Sequence, residues 1–221
     1  MRVVFLGDSL TEGYPGESFL RRLAGLLPDD ELLNLGRAGD TVPALLARLR
    51  AGGVPAADAA VLWIGTNDAF LGDWYLPPLV DDAELWEPGV AADDDVGTLD
   101  PSSAGAYDAR RLRPAYDAVL DLALGASPLV ACLPPVLPDP FEGEVAERVA
   151  GIAAMVVAAA QARAPRTLVF DLAPAFTAAT GAGPGGRFTI DGVHLNARGA
   201  DVVAAAARRL LEHLRATVSS R

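Results

Sequence analysis

Short runs of apolar residues alternate along this chain with segments of helical periodicity. The apolar runs predict buried strands at 2–6, 31–35, 59–64, 128–133 and 167–171. The periodic segments predict helices at 17–27, 41–50, 106–124, 142–163 and 197–215. Continuous apolar strands separated by helices are typical of a parallel sheet covered on both faces. The pattern therefore predicts an α/β fold, a three-layer α/β/α sandwich of about five strands.

Two stretches, 72–105 and 172–190, follow neither pattern. The first is rich in Pro, Asp and Gly, and the second contains several closely spaced glycines. A connection as long as the first is uncommon inside a compact domain and often has a function. We therefore expect a single domain over 1–221, with 72–105 as an acidic insertion that is a candidate lid.

The charge of the chain is concentrated in one segment. The formal net charge is −11, from 29 acidic residues against 18 arginines, and there is no lysine. Twelve of the acidic residues lie in 51–109, a segment without arginine. This acidity argues against nucleic acid and against anionic membrane surfaces as partners, since both require a basic surface. A ligand site beside this segment would disfavour anionic substrates.

The sequence also bears on compartment and redox chemistry. The apolar run at the N-terminus is too short for the core of a signal peptide, and no apolar run approaches the length of a membrane span. Cys132 is the only cysteine, so no intramolecular disulfide is expected, and its place in an apolar strand predicts that it is buried. We expect a cytoplasmic protein without membrane insertion, and its oligomeric state stays open.

Reactive side chains follow the predicted strands. They lie in Gly7–Gly13, Asn34–Thr41 and Gly65–Asp68, and a fourth group, Asp191–His194, precedes the last helix. Ligands of open α/β sheets bind beyond the carboxyl ends of the strands, so the four groups are expected to converge on one edge.

These residue types suit nucleophilic catalysis. Ser9 lies on a tight turn, where a hydroxyl becomes a nucleophile once a base removes its proton. His194 is the histidine near such a loop, and Asp191 is close enough in sequence to orient its ring. The Ser9 N–H, a glycine N–H after the second strand and the Asn67 amide are candidate donors to an oxyanion. Asp8 and Asp68 are expected to accept backbone N–H bonds that hold their loops.

With these motifs the chain resembles the SGNH, or GDSL, hydrolases. GDSLTEG at 7–13, a glycine before Asp-Thr at 40–41, GTND at 65–68 and DGVH at 191–194 stand in the order of that family's four blocks. The resemblance implies a flavodoxin-like fold with strand order 2-1-3-4-5 and a serine esterase that acts on small-molecule esters through an acyl-enzyme, without metal or organic cofactor. It also implies a set of site residues: the nucleophile Ser9, the pair Asp191 and His194, and the oxyanion donors Ser9, Gly39 and Asn67, with Gly36 as the alternative glycine.

Other functions stay open at this point. Within enzymes, the alternatives are a carbohydrate O-acetyl esterase and an acyl thioesterase, and the acidity counts against an acyl-CoA substrate. Outside enzymes, a flavodoxin-like sheet can bind a flavin or nucleotide, or serve as an interaction module. The loop 7–13 offers Asp8 and Glu12 but no lysine, which disfavours a phosphate there.

Three aromatic residues of the segment 72–105 admit two interpretations. Trp74, Tyr75 and Trp86 either hold this segment against the body of the domain or line the acyl or alcohol side of the site. The second interpretation follows from the position of the segment, which begins shortly after Asp68.

Overall fold

A computed structural model describes residues 1–71, 109–139, 142–180 and 187–220. Within these ranges, five parallel strands form one sheet in the order β2-β1-β3-β4-β5. The strands are β1 (Arg2–Gly7), β2 (Glu31–Gly36), β3 (Ala59–Trp63), β4 (Val130–Leu133) and β5 (Thr167–Val169). The predicted α/β fold and its strand order are confirmed.

Eight helices flank the sheet in the described part of the chain. They are α1 (Ser9–Glu12), α2 (Phe19–Leu26), α3 (Val42–Gly52), α4 (Thr66–Leu71), α5 (Ala109–Ala126), α6 (Glu144–Gln161), α7 (Ala173–Thr180) and α8 (Ala197–Ser219). Five of them coincide with the predicted helices to within a few residues: α2, α3, α5, α6 and α8. Thr41 caps α3, as its hydroxyl accepts the N–H of Ala44.

The prediction of irregular structure over 172–190 is wrong for its first part, which forms α7. The Asp171 side chain accepts the Ala173 N–H at 2.9 Å, and Phe176 packs edge-to-face on Phe188 with ring centroids 5.3 Å apart. A helix this short depends on such tertiary contacts, because it is marginal by itself. The short helices α1 and α4 were likewise not predicted.

The two faces of the sheet belong to two separate hydrophobic clusters. Val3 and Phe5 of β1 pack in the cluster that includes α2 and α8. Val4 and Leu6 face the other way and pack in the cluster formed with α3, α5 and α6. Side chains that alternate in this way along a strand produce the three layers. Cys132 is fully buried in the second cluster, as predicted.

The strand register brings the loops after β1, β2 and β3 to one edge. Gly7 pairs with Gly36 on one side and with Trp63 on the other. Each chain segment that leaves these strands therefore begins at the same level of the sheet. Residues 72–105 lie outside the described residues, so the single domain over 1–221 and its insertion stay predictions.

Candidate active site

Ser9 is the first residue of α1, in a sharp turn after β1. Asp8 caps this helix, because its Oδ1 accepts the Leu10 N–H at 3.0 Å, as expected from the sequence. The turn closes when the Gly13 N–H donates to the Ser9 carbonyl at 2.8 Å. The Ser9 N–H, at the start of the helix, has no acceptor among the described residues and is available to a ligand.

His194 joins Ser9 to Asp191. Its Nε2 lies 3.0 Å from Ser9 Oγ, and its Nδ1 lies 2.6 Å from Asp191 Oδ2. With the proton on Nδ1 donated to Asp191, the lone pair of Nε2 faces the serine hydroxyl. The structure therefore brings together the three residues that the sequence selected as nucleophile, base and orienting carboxylate.

Asp191 is held by its own loop. Its Oδ1 accepts the N–H groups of Val193 and His194 at 3.0 and 2.8 Å. Partial burial raises the pKa of Asp191, but the hydrogen bonds from His194 and Val193 outweigh it, and the net effect lowers that pKa. Asp191 is thus kept ionised beside the imidazole.

Residues 37–42, here named the Gly39 loop, connect β2 to α3. Most of its backbone N–H groups have acceptors: Arg37 donates to Gly7 O, Ala38 to Glu12 Oε2, Asp40 to Arg37 O, and Val42 to Asp68. The N–H groups of Gly39 and Thr41 have none among the described residues. Gly39 is exposed, whereas Thr41 is buried, so the Gly39 N–H is the accessible donor.

The structure distinguishes the two candidate glycines. The Gly36 N–H donates to Asn34 Oδ1 at 2.9 Å, and a Cβ on Gly36 would lie 2.3 Å from the Glu12 nitrogen. Glycine is therefore required at position 36 for close packing, and its N–H already has an acceptor in Asn34 Oδ1. Gly39 has a φ of 82° and open space around a Cβ, so glycine is needed there for its backbone conformation. Its role as an oxyanion donor stays a prediction.

Asn67 is attached to the Gly39 loop. Its Nδ2 donates one N–H to the Asp40 carbonyl at 2.8 Å, which leaves the second N–H of the amide for another acceptor. The side chain is half-buried in α4, directly after β3. The third predicted donor thus lies against the loop that contains the second.

Asp68, the next residue, holds the start of α3. Both of its carboxylate oxygens lie 3.1 Å from the Val42 nitrogen. Burial raises the pKa of Asp68 to about 7, against the hydrogen bonds from the N–H groups of Val42 and Asp68 itself. Asp68 therefore accepts a backbone N–H of its own loop, as expected, and in addition holds the Gly39 loop.

Asp8 and Asp40 complete a group of carboxylates beneath the site. Burial raises the pKa of Asp8 to about 7, opposed by the Leu10 N–H and reinforced by the negative charges of Asp68 and Asp40. Burial also raises the pKa of Asp40, against its pair with Arg48 at 2.7 Å. These buried carboxyl groups therefore keep their protons to a higher pH than exposed carboxyl groups do.

Asp139 anchors the catalytic loop from the β4–α6 connection, and sequence reasoning missed it. Its buried carboxylate accepts the Phe188 N–H at 2.8 Å and both the N–H and the hydroxyl of Thr189. The Thr189 oxygen accepts in turn the Gly192 N–H at 3.0 Å. Asp139 therefore fixes the segment that leads into Asp191 and His194.

Three candidate substrate-binding residues, Trp74, Tyr75 and Trp86, lie outside the described residues, and their role stays a prediction. A cavity of about 630 Å³ lies beside α6 and α7, where Val149, Phe176 and Phe188 are part of its wall. The triad residues do not line this cavity.

The described residues contain no cluster of His, Cys, Asp and Glu that could hold a metal ion. None of the helices in these ranges is long and apolar enough to cross a membrane.

The sheet and the Ser–His–Asp arrangement at its edge define an α/β/α serine hydrolase. A scan against protein families supports this class independently. The chain belongs to the GDSL-like lipase/acylhydrolase family, whose profile matches residues 5–202. The predicted family and the predicted class of enzyme, an ester hydrolase, are confirmed.

Solved structures of ester hydrolases and related enzymes have the same fold as this chain. A member of the lipolytic protein G-D-S-L family from Veillonella parvula DSM 2008 is 17% identical, with a TM-score of 0.67 over 94% of this chain and 96% of that one. An α/β hydrolase enzyme from the metagenome of Lake Arreo, Spain, is 20% identical, with a TM-score of 0.66 over 93% and 92%. The acetylxylan esterase Axe2 from Geobacillus stearothermophilus is 18% identical, with a TM-score of 0.66 over 94% and 92%. At these identities the likeness establishes the fold. A search of curated proteins found no match.

Proposed function

We propose that this chain hydrolyses carboxylic esters of small neutral substrates through an acyl-enzyme on Ser9. The observation that carries the proposal is the continuous contact from Asp191 through His194 to Ser9, with distances of 2.6 and 3.0 Å. A serine hydroxyl is a weak nucleophile without such a base, and this contact supplies one.

In the first half of the reaction, Ser9 Oγ attacks the ester carbonyl and His194 Nε2 takes its proton. The carbonyl oxygen becomes an oxyanion, to which the N–H groups of Ser9 and Gly39 and the Asn67 amide donate. Asp191 stabilises the imidazolium. The tetrahedral intermediate then collapses, its bond to the alcohol oxygen breaks, and the imidazolium protonates that oxygen.

In the second half, water replaces the alcohol. His194 takes a proton from this water, which attacks the acyl carbon and forms a second oxyanion in the same place. The bond to Ser9 Oγ then breaks, and the proton on His194 returns to the serine. The products are the carboxylic acid and the free enzyme.

A chain-length series of activated acyl esters tests the proposal on the wild type and on Ser9→Ala. We expect hydrolysis by the wild type and its loss in Ser9→Ala, with a burst of the first product when deacylation is the slower step. Hydrolysis that survives in Ser9→Ala would contradict the mechanism. Inactivity of a folded wild type on the whole series would contradict the proposed substrate class.

A carbohydrate O-acetyl ester is the second candidate substrate. The shared fold with an acetylxylan esterase supports it. Acetylated xylo-oligosaccharides and simple acetyl esters of the same leaving-group pKa discriminate the two functions. A kcat/KM at least tenfold higher for the oligosaccharide would favour the carbohydrate esterase.

The aromatic residues of 72–105 supply a separate test of specificity. If Trp74 and Trp86 line the site, their replacement by Ala shifts the preferred acyl length. If they serve only packing, the replacement lowers stability and leaves the preference unchanged.

The cytoplasmic location expected from the sequence stays a prediction.

A further inference from the structure

Two carboxylates hold the Gly39 loop at points on either side of Gly39. Glu12 Oε2 accepts the Ala38 N–H at 2.6 Å, and Asp68 accepts the Val42 N–H at 3.1 Å. Glu12 comes from α1, which begins with the nucleophile, and Asp68 follows Asn67. The loop is therefore attached to the two other segments that contribute the predicted oxyanion donors.

The hydrogen bond that Ala38 donates to Glu12 lies next to the Gly39 N–H, the predicted donor to the oxyanion. Ala38 immediately precedes Gly39, whose N–H has no acceptor among the described residues. The neighbouring Arg37 N–H is fixed at 3.1 Å to Gly7 O, on the strand that leads to Ser9. The Gly39 N–H lies in the peptide plane between Ala38 and Gly39. The Ala38 anchor before this plane and the Asp40 N–H after it, which donates to Arg37 O at 3.1 Å, together restrict the direction of the Gly39 N–H.

Glu12 is itself well fixed for this purpose. Its N–H donates to Asp8 O at 2.9 Å, and its carbonyl accepts the Asn34 Nδ2 at 3.2 Å. The hydrogen bond of its carboxylate goes to a backbone amide, the Ala38 N–H. A charged acceptor on a backbone N–H is stronger than a neutral one, which suits a positioning role.

We propose that Glu12 is a positioning residue that orients the Gly39 N–H toward the oxyanion, acting through the Ala38 N–H. The inference rests on the proposed function, because it assumes that Gly39 donates to the oxyanion. Glu12 does not touch the substrate. Its removal leaves the chain of Ser9, His194 and Asp191 intact and changes only the geometry of one donor.

The test compares Glu12→Ala and Glu12→Gln with the wild type on one activated ester. Loss of an oxyanion donor costs about 10²–10³ in kcat, so we expect its misorientation in Glu12→Ala to lower kcat roughly 10- to 100-fold. KM should stay within about threefold, because the donor acts on the transition state. In Glu12→Gln the amide oxygen still accepts the Ala38 N–H, so most of the kcat should return.

A double-substitution cycle with Gly39→Ala tests the route. Gly39 has room for a Cβ, but its φ of 82° is strained for alanine, so Gly39→Ala displaces the same N–H. If Glu12 acts through Gly39, the double variant loses little more kcat than Gly39→Ala alone. Losses that multiply would overturn the proposal, as would a Glu12→Ala variant with wild-type kcat.

Two further measurements separate this inference from loss of the fold and from the proposed function. Glu212→Ala removes an exposed glutamate paired with Arg208 on α8, and should keep the wild-type kcat. Thermal unfolding of Glu12→Ala should remain cooperative, and a kcat loss explained by unfolded protein would overturn the positioning role. Wild type and Ser9→Ala measured alongside report the proposed function, since inactivity of the wild type contradicts that function and not the role of Glu12 alone.

Discussion

Thr189 donates both its N–H and its hydroxyl to the buried carboxylate of Asp139, 50 residues earlier in the chain. The same threonine oxygen accepts the Gly192 N–H, one residue after Asp191. The carboxylate therefore supports the catalytic loop from beneath, although it takes no part in the proposed reaction.

Replacement of Asp139 by Ala is expected to destabilise the protein and to lower activity. The Phe188 N–H and the two Thr189 donors lose their acceptor, and an unsatisfied buried donor costs about 1–3 kcal/mol. Urea unfolding measures the loss in the free energy of unfolding. Asp201→Ala is the matched control, because its exposed pair with Arg22 is worth at most about 1 kcal/mol. Equal stability of the two variants would argue against the anchoring role.

Asn67→Ala is expected to lower kcat by about 10²–10³, because it removes a donor to the developing oxyanion. KM should change far less, and steady-state kinetics separate the two parameters. Gln161→Ala removes an exposed amide at the end of α6 and serves as the control. A kcat near that of the wild type would show that Asn67 only ties α4 to the Gly39 loop.

Stability should fall as the pH rises from about 5 to 8. The pKa values of Asp8 and Asp68 are raised to about 7, so the folded protein binds more protons than the unfolded chain in this window. Each group contributes a slope of at most about 1.4 kcal/mol per pH unit. Asp8 faces Asp68 and Asp40, whose negative charges raise its pKa further.

Asp68→Asn tests this origin of the pH dependence. Asparagine still accepts the Val42 N–H but does not titrate, so the free energy of unfolding should depend less on pH. Urea unfolding of both proteins at pH 5, 6, 7 and 8 gives the comparison. Parallel profiles for the wild type and the variant would assign the dependence to other groups.

The enzyme is expected to prefer neutral esters over anionic ones. Twelve of its 29 acidic residues lie in 51–109, a segment that has no arginine and contains Asn67. A negative field lowers the local concentration of anionic substrates, and salt screens this effect. Neutral and anionic esters of equal acyl length, compared at low and high salt, measure it. A higher kcat/KM for the anionic ester at low salt would contradict the expectation.

Sequence patterns predicted the elements that bury a continuous apolar face. The five strands and helices α2, α3, α5, α6 and α8 follow from local periodicity, since each buries enough side chains to leave a clear pattern. Helices α1, α4 and α7 left no such pattern. For α7, the contact between Phe176 and Phe188 supplies what the local sequence lacks.

The sequence by itself determined the strand order through a family resemblance, and it selected Ser9, Asp191 and His194 by residue type and position. Only the tertiary structure decided that the Gly36 N–H has an acceptor, whereas the Gly39 N–H has none in the described part of the chain. It alone also decided that His194 contacts Ser9 across 185 residues and that Glu12 and Asp139 hold the loops. The physical reason is that these carboxylates bind backbone N–H groups 26 and 49 residues away. Every residue except proline has such a group, so its pairing leaves no mark in the sequence and depends on the folded chain alone.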